Sequence, residues 1–140
     1  MAGYSGTPLA RKLGIRPRDS LAVLGAPDGF AIDDLPPGVE IRHRASLVCD
    51  VIVSFHTRRA ELARRFPALM RALVADGGLW VAWPKRASGV DTDITEDVVR
   101  DVALPTGMVD NKVCAIDDTW SGLRLVLRKE LRAGRITVAG

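Results

Sequence analysis

The chain has 140 residues, 47% apolar and 26% charged, with 20 Lys plus Arg against 17 Asp plus Glu for a formal net charge of +3. This mixture excludes a disordered or collagenous chain. A chain of about 150 residues buries about two-thirds of its unfolded surface, so a sizeable core needs neither disulfides nor a structural metal.

One unit is expected over residues 1–140, with an N-terminal helical arm over 1–14, an α/β core over 15–128 and a tail over 129–140. Thr7 before Pro8 supplies a side-chain cap and a first helical residue without an amide hydrogen, so a short helix is predicted over Leu9 to Leu13, stopped by Gly14. Leu21-Ala22-Val23-Leu24 is too short an apolar run for a helix and closes on Gly25-Ala26-Pro27-Asp28-Gly29, which makes it a buried strand running into a tight loop. Phe30 to Pro37 reads as a brief turn or helix, because Pro36-Pro37-Gly38 continues no regular element. Val39 to His43 alternates apolar and polar, the pattern of an edge or half-covered strand.

Val51-Ile52-Val53-Ser54-Phe55 is a β-branched run suited to a central parallel strand, and Thr57 is placed to cap the helix after it. In that helix Leu62, Phe66, Leu69, Met70 and Leu73 form one apolar stripe, while Pro67 predicts a kink or a split into two helices. Asp76-Gly77-Gly78 is its expected stop, and Leu79 to Trp83 the next strand, ended by Pro84. Thr95-Glu96-Asp97 provides a cap and first-turn acids for a helix through Leu104. Lys112 to Ile116 and Leu123 to Leu127 read as a hairpin whose loop holds Trp120, and the tail from Glu130 to Gly140 as a fraying extension.

This order implies a mostly parallel, three-layer Rossmann-like α/β sheet ending in an antiparallel hairpin, with helices over both faces. Leu13-Gly14-Ile15-Arg16-Pro17-Arg18-Asp19 leading into the first strand, Asp76-Gly77-Gly78-Leu79-Trp80-Val81 and the terminal hairpin resemble the S-adenosylmethionine-dependent methyltransferase fold over residues 13–128. One strand and one helix usual before Asp50 are missing, so the resemblance is to a trimmed version. More closely, Met1 to Gly14, Gly77 to Lys85 and Asp110 to Leu123 are similar to a family of short bacterial proteins of unknown function, typical of high-GC Gram-positive bacteria.

The methyltransferase resemblance implies a cofactor loop at Gly25, Ala26, Pro27, Asp28 and Gly29, whose glycines let backbone amides approach a ligand. The chain departs from that pattern at Leu24, where the family has an acid, at Pro27, where it has a glycine, and at His43-Arg44-Ala45, where it has a ribose-binding acid. A positive pair cannot accept ribose hydroxyl hydrogens as a carboxylate does. Ligands of parallel sheets gather outside the carboxyl ends of the strands, so His43, Arg44, His56, Trp83 and Lys85 form the candidate cleft, with donors that suit a phosphate or carboxylate. The expected function is a non-catalytic ligand-binding or protein-interaction module. The alternative is a methyltransferase with a divergent cofactor loop, using S-adenosylmethionine.

Other chemistries have weaker support. Ser54, His56 and Asp50 share one strand, which does not itself make a triad, and neither a GxSxG elbow nor a Walker loop occurs. Cys49 and Cys114 lack zinc spacing and read as buried thiols, and Asp91, Asp93, Glu96, Asp97 and Asp101 read as helix-start acids rather than metal ligands. Arg58, Arg59, Arg64, Arg65 and Arg71 face one acid, Glu61, but no aromatic platform accompanies them, so nucleic acid is not the expected partner. Without an apolar run of about eighteen residues or a secretory signal, no membrane partner is expected and the expected address is the cytoplasm.

Overall fold

A computed structural model describes residues 7–44 and 48–132. The chain runs through α1 (Leu9–Lys12), β1 (Ser20–Leu24), β2 (Glu40–Arg42), β3 (Cys49–Phe55), α2 (Arg59–Arg71), β4 (Leu73–Pro84), α3 (Glu96–Ala103), β5 (Met108–Ala115) and β6 (Trp120–Leu127). Short 3-10 turns at Arg86–Ser88 and Leu104–Thr106 flank α3. The six strands form one sheet in the order β2-β1-β3-β4-β6-β5. The first four are mutually parallel, and β6 runs antiparallel to both β4 and β5, as the hairpin pattern implied. β2 lies at the edge, and only residues 43–48 join it to β3, in keeping with a trimmed sheet.

Alternation along the strands sends two sets of side chains to opposite faces. On one face Ile52, Leu79, Val81, Trp83, Leu123 and Leu125 pack beneath α2 and α3. Leu62, Phe66 and Leu69 anchor α2 there; each is almost wholly buried and contributes roughly 1.5–3 kcal/mol. On the other face Leu21, Val51, Val53, Phe55 and Trp80 meet Ala10, Leu13 and Ile15, with Ala26, Phe30, Ile32 and Leu35 packed partly buried against them. Trp80 Nε1 donates to Leu13 O at 3.0 Å. Trp80 and Trp83 thus point to opposite faces, as their spacing predicts. The third layer is thin: α1 and the segment 25–39, which is irregular rather than helical, stand where a covering helix was expected.

Several local expectations are corrected. Pro8, not Thr7, is the residue that precedes the first helical position of α1. α2 runs unbroken through Pro67 and ends at Arg71, so Asp76-Gly77-Gly78 belongs to β4 instead of stopping a helix. Between the pairs Cys49↔Leu73 and Val51↔Gly78 β4 advances five residues while β3 advances two, a bulge that absorbs the segment before Gly78. Trp120 opens β6 and is not a loop residue, and β5 begins at Met108, ahead of Lys112. Cys49 is buried as expected, whereas Cys114 is only half-buried. Residues 133–140 of the expected fraying tail lie outside the described residues, as do Met1 to Gly6.

Candidate functional site

β1 has β2 on one side and β3 on the other, so the chain reverses its direction of progress across the sheet beside β1. The crease outside the carboxyl ends of β1 and β3 is therefore where an open α/β sheet receives a ligand. Gly25 opens the loop there with φ +68°, a left-handed angle that glycine adopts without strain. A Cβ at Gly25 would lie 3.1 Å from Phe55 O, so the close approach its small size permits is to β3. The Phe55 ring stands edge-on to Phe30 (centroids 4.9 Å apart) and to Trp120 (5.1 Å), which draws an aromatic row across the crease. Beside it remains a hollow of about 270 Å³ lined by Gly25, Phe55, His56, Thr57, Arg58, Glu61 and Trp120.

His56 is 4% exposed, with Nε2 2.7 Å from Ser54 Oγ and Nδ1 2.5 Å from Glu61 Oε1. Burial pushes its pKa below the ordinary histidine value, against the pull of Glu61. The neutral ring donates from Nδ1 to the carboxylate and accepts the serine hydroxyl hydrogen at Nε2. The third member of this chain is Glu61, not Asp50, whose Oδ2 accepts from Ser20 N at 2.8 Å. Ser54 is 1% exposed, so its hydroxyl is out of reach of a substrate. The three residues staple the end of β3 to the first turn of α2.

A larger cleft of about 640 Å³ lies past the end of β4, lined among others by Trp83, Lys85, Arg86, Val90, Ile94 and Ser121. Of the residues named from sequence, Gly25 and His56 meet in the first hollow and Trp83 and Lys85 in this cleft. His43 and Arg44, both exposed, line neither; His43 Nδ1 lies 3.4 Å from Val23 O. Ala26 packs on the sheet, Pro27 and Asp28 are exposed, and a Cβ at Gly29 would meet nothing within 4 Å. Arg58 and Glu61, read from sequence only as part of an arginine-rich helix face, are brought to the rim of the first hollow by the β3–α2 junction, and Arg86 lies beside Lys85 in the second.

The acids of 91–97 are held by neighbours. Asp91 and Asp93 bond Arg58 Nη2 and Arg59 N, and Glu96 and Asp97 bond Arg100. Asp93, not Thr57, therefore caps α2; Thr57 O instead accepts from Thr92 Oγ1 at 2.7 Å. Among the described residues no group of three or more His, Cys, Asp or Glu could hold a metal ion, and no helix is long and apolar enough to cross a membrane.

No protein-family model matches the sequence, and no curated protein is similar to it in sequence. In fold the chain is similar to an SAM-dependent methyltransferase from Aquifex aeolicus, with a TM-score of 0.62 and 13% identity over 84% of this chain and 86% of that one. It is also similar to a ribosomal protein L11 methylase from Lactobacillus delbrueckii subsp. bulgaricus (TM-score 0.56, 12% identity, 85% of this chain and 74% of that one). A fibrillarin pre-rRNA processing protein from Methanococcus jannaschii follows at TM-score 0.54 and 13% identity, over 85% and 73% of the two chains. At such identities the likeness establishes a methyltransferase-like Rossmann fold and nothing about chemistry.

The cofactor that this fold implies, S-adenosylmethionine, is a poor match to the residues in the crease. Gly25 closes onto Phe55 O, the aromatic row occupies the switch point, and His43-Arg44 follows β2 where an acid would take the ribose.

Proposed function

We propose that this chain is a non-catalytic binding module built on the methyltransferase fold, acting in the cytoplasm on a small molecule or a protein, and that it is one of the short bacterial proteins its sequence resembles. The observation that carries the reading is the row Phe30-Phe55-Trp120, protein rings lying in the crease where a methyltransferase would seat its cofactor. The burial of Ser54 supports it, because its hydroxyl, which bonds His56, faces the core. Calorimetric titration of the full chain with S-adenosylmethionine and with S-adenosylhomocysteine tests it. No saturable heat is expected up to millimolar concentrations; a saturable isotherm with either compound overturns the reading in favour of a methyltransferase with a divergent cofactor loop. Native mass spectrometry of protein purified from its own host would weigh whatever small molecule it retains.

A further inference from the structure

The larger cleft is lined by two cations that no carboxylate among the described residues pairs with. Two acids line it, Asp91 and Glu96, and each already has a cationic partner: Arg58 Nη2 donates to Asp91 Oδ2 at 2.5 Å, and Arg100 Nη2 donates to Glu96, a guanidinium that Asp97 and Asp110 also share. Two bases line it, Lys85 and Arg86, and among the described residues neither has a carboxylate within ion-pair distance. Two positive charges therefore face the cleft with their donors uncommitted. Apolar surface lies beside them. Trp83 and Ile94, 7% and 2% exposed, line the cleft together with Val90, which is 42% exposed.

Both walls are fixed by their own hydrogen bonds. On the cationic side Lys85 N donates to Thr119 O at 2.7 Å, Ser88 N and Oγ both donate to Lys85 O, and Gly89 closes the turn at φ +77°. On the other, Thr92 Oγ1 donates to Thr57 O and Ile94 N donates to Thr92 Oγ1. A site built in advance loses little ordering entropy when it is filled.

We infer that this cleft binds an organic anion, a small molecule whose phosphate or carboxylate head meets Lys85 and Arg86 and whose apolar body rests against Trp83, Val90 and Ile94. The inference rests on the reading of the chain as a binding module and gives that module a site and a ligand chemistry. An ammonium and a guanidinium together supply the charge and the forked donors that such a head requires, and the cleft volume of about 640 Å³ suits a body of one or two rings.

Phenyl phosphate and phenylacetate serve as probes, with inorganic phosphate and benzyl alcohol as the separate halves, titrated into the isotopically labelled full chain and followed by amide shifts. At least one aryl anion should shift the amides of residues 83–95 and Ser121 and saturate at a concentration about tenfold or more below either half. The double variant Lys85→Met/Arg86→Met should weaken that binding about tenfold or more, since a hydrogen bond to a charged group contributes roughly 1.5–3 kcal/mol, while Arg71→Met at the C-terminal end of α2, outside the cleft lining, should leave it unchanged. Equal affinity in the double variant, inorganic phosphate binding as tightly as phenyl phosphate, or shifts centred elsewhere would each overturn the site. Failure of the aryl anions removes this site and leaves the binding-module reading in place; a saturable S-adenosylmethionine isotherm removes that reading whatever the aryl anions do.

Discussion

Gly77 and Gly78 adjoin in β4 without a positive φ, so both are required for space rather than for a turn. A Cβ at Gly77 would lie 2.7 Å from Asp50 O, which is backbone of the neighbouring strand, whereas one at Gly78 would lie 2.5 Å from Arg124 Nε, near the free end of a side chain. Gly77→Ala should therefore cost about 1–3 kcal/mol and Gly78→Ala less than about 1, measured by urea unfolding; the reverse order would contradict this account. The sequence pointed to a helix stop here because a glycine pair after an apolar stripe carries that meaning, and the proximity of a strand 27 residues earlier leaves no local mark. His56 makes a second prediction at this scale. Its folded pKa lies below its unfolded value near 6.5, so the unfolded chain takes up a proton first as pH falls. Its contribution to stability is whole above about pH 6.5 and is lost progressively below it, by up to about 1.4 kcal/mol per pH unit until the native ring also protonates. His56→Gln should flatten that part of the stability profile between pH 7 and pH 5.5, and an unchanged slope would assign the dependence to other groups.

The start of α2 shows what an element can owe to distant sequence. Thr57 has the right chemistry and nearly the right position for a cap, yet Arg59 N bonds Asp93 Oδ1 at 2.7 Å, from a residue 34 positions later. Asp93→Ala should lower stability by about 1 kcal/mol and Thr57→Ala by distinctly less, read as the shift in denaturation midpoint. α3 was legible for the opposite reason: its cap, Thr95 Oγ1 accepting from Val98 N, spans three residues, and its first-turn acids meet Arg100 within one turn. The apolar stripe of α2 was equally legible, since packing follows periodicity. Its passage through Pro67 was not, because Leu62, Phe66 and Leu69 hold both sides of the proline to the same sheet.

Across the whole molecule, alternation and crossover rules made the mostly parallel core and its terminal hairpin readable, while the order of the strands came only with the fold. The covering of the second face was not, because the irregular segment 25–39 presents Phe30, Ile32 and Leu35 without any period. The cleft was half readable. Strand ends named Trp83 and Lys85, but only the folded chain shows that the facing acids Asp91 and Glu96 are held by Arg58 and Arg100. Stability should be uneven across the sheet: β3 is paired on both sides and nearly all buried, while β2 has three paired residues at an open edge. Native-state amide exchange should be slowest in β3 and the Leu79 to Trp83 part of β4 and fastest, among the strands, in β2; uniform protection would refute that gradient. Thr57 O takes hydrogen bonds from both Thr92 Oγ1 and Asp93 N. That double anchorage fastens the outer wall of the cleft to the residue just before α2. Thr92 lines the larger hollow and Thr57 the smaller, so the two share a hydrogen-bonded partition, and a substitution that removes Thr92 Oγ1 loosens a boundary common to both.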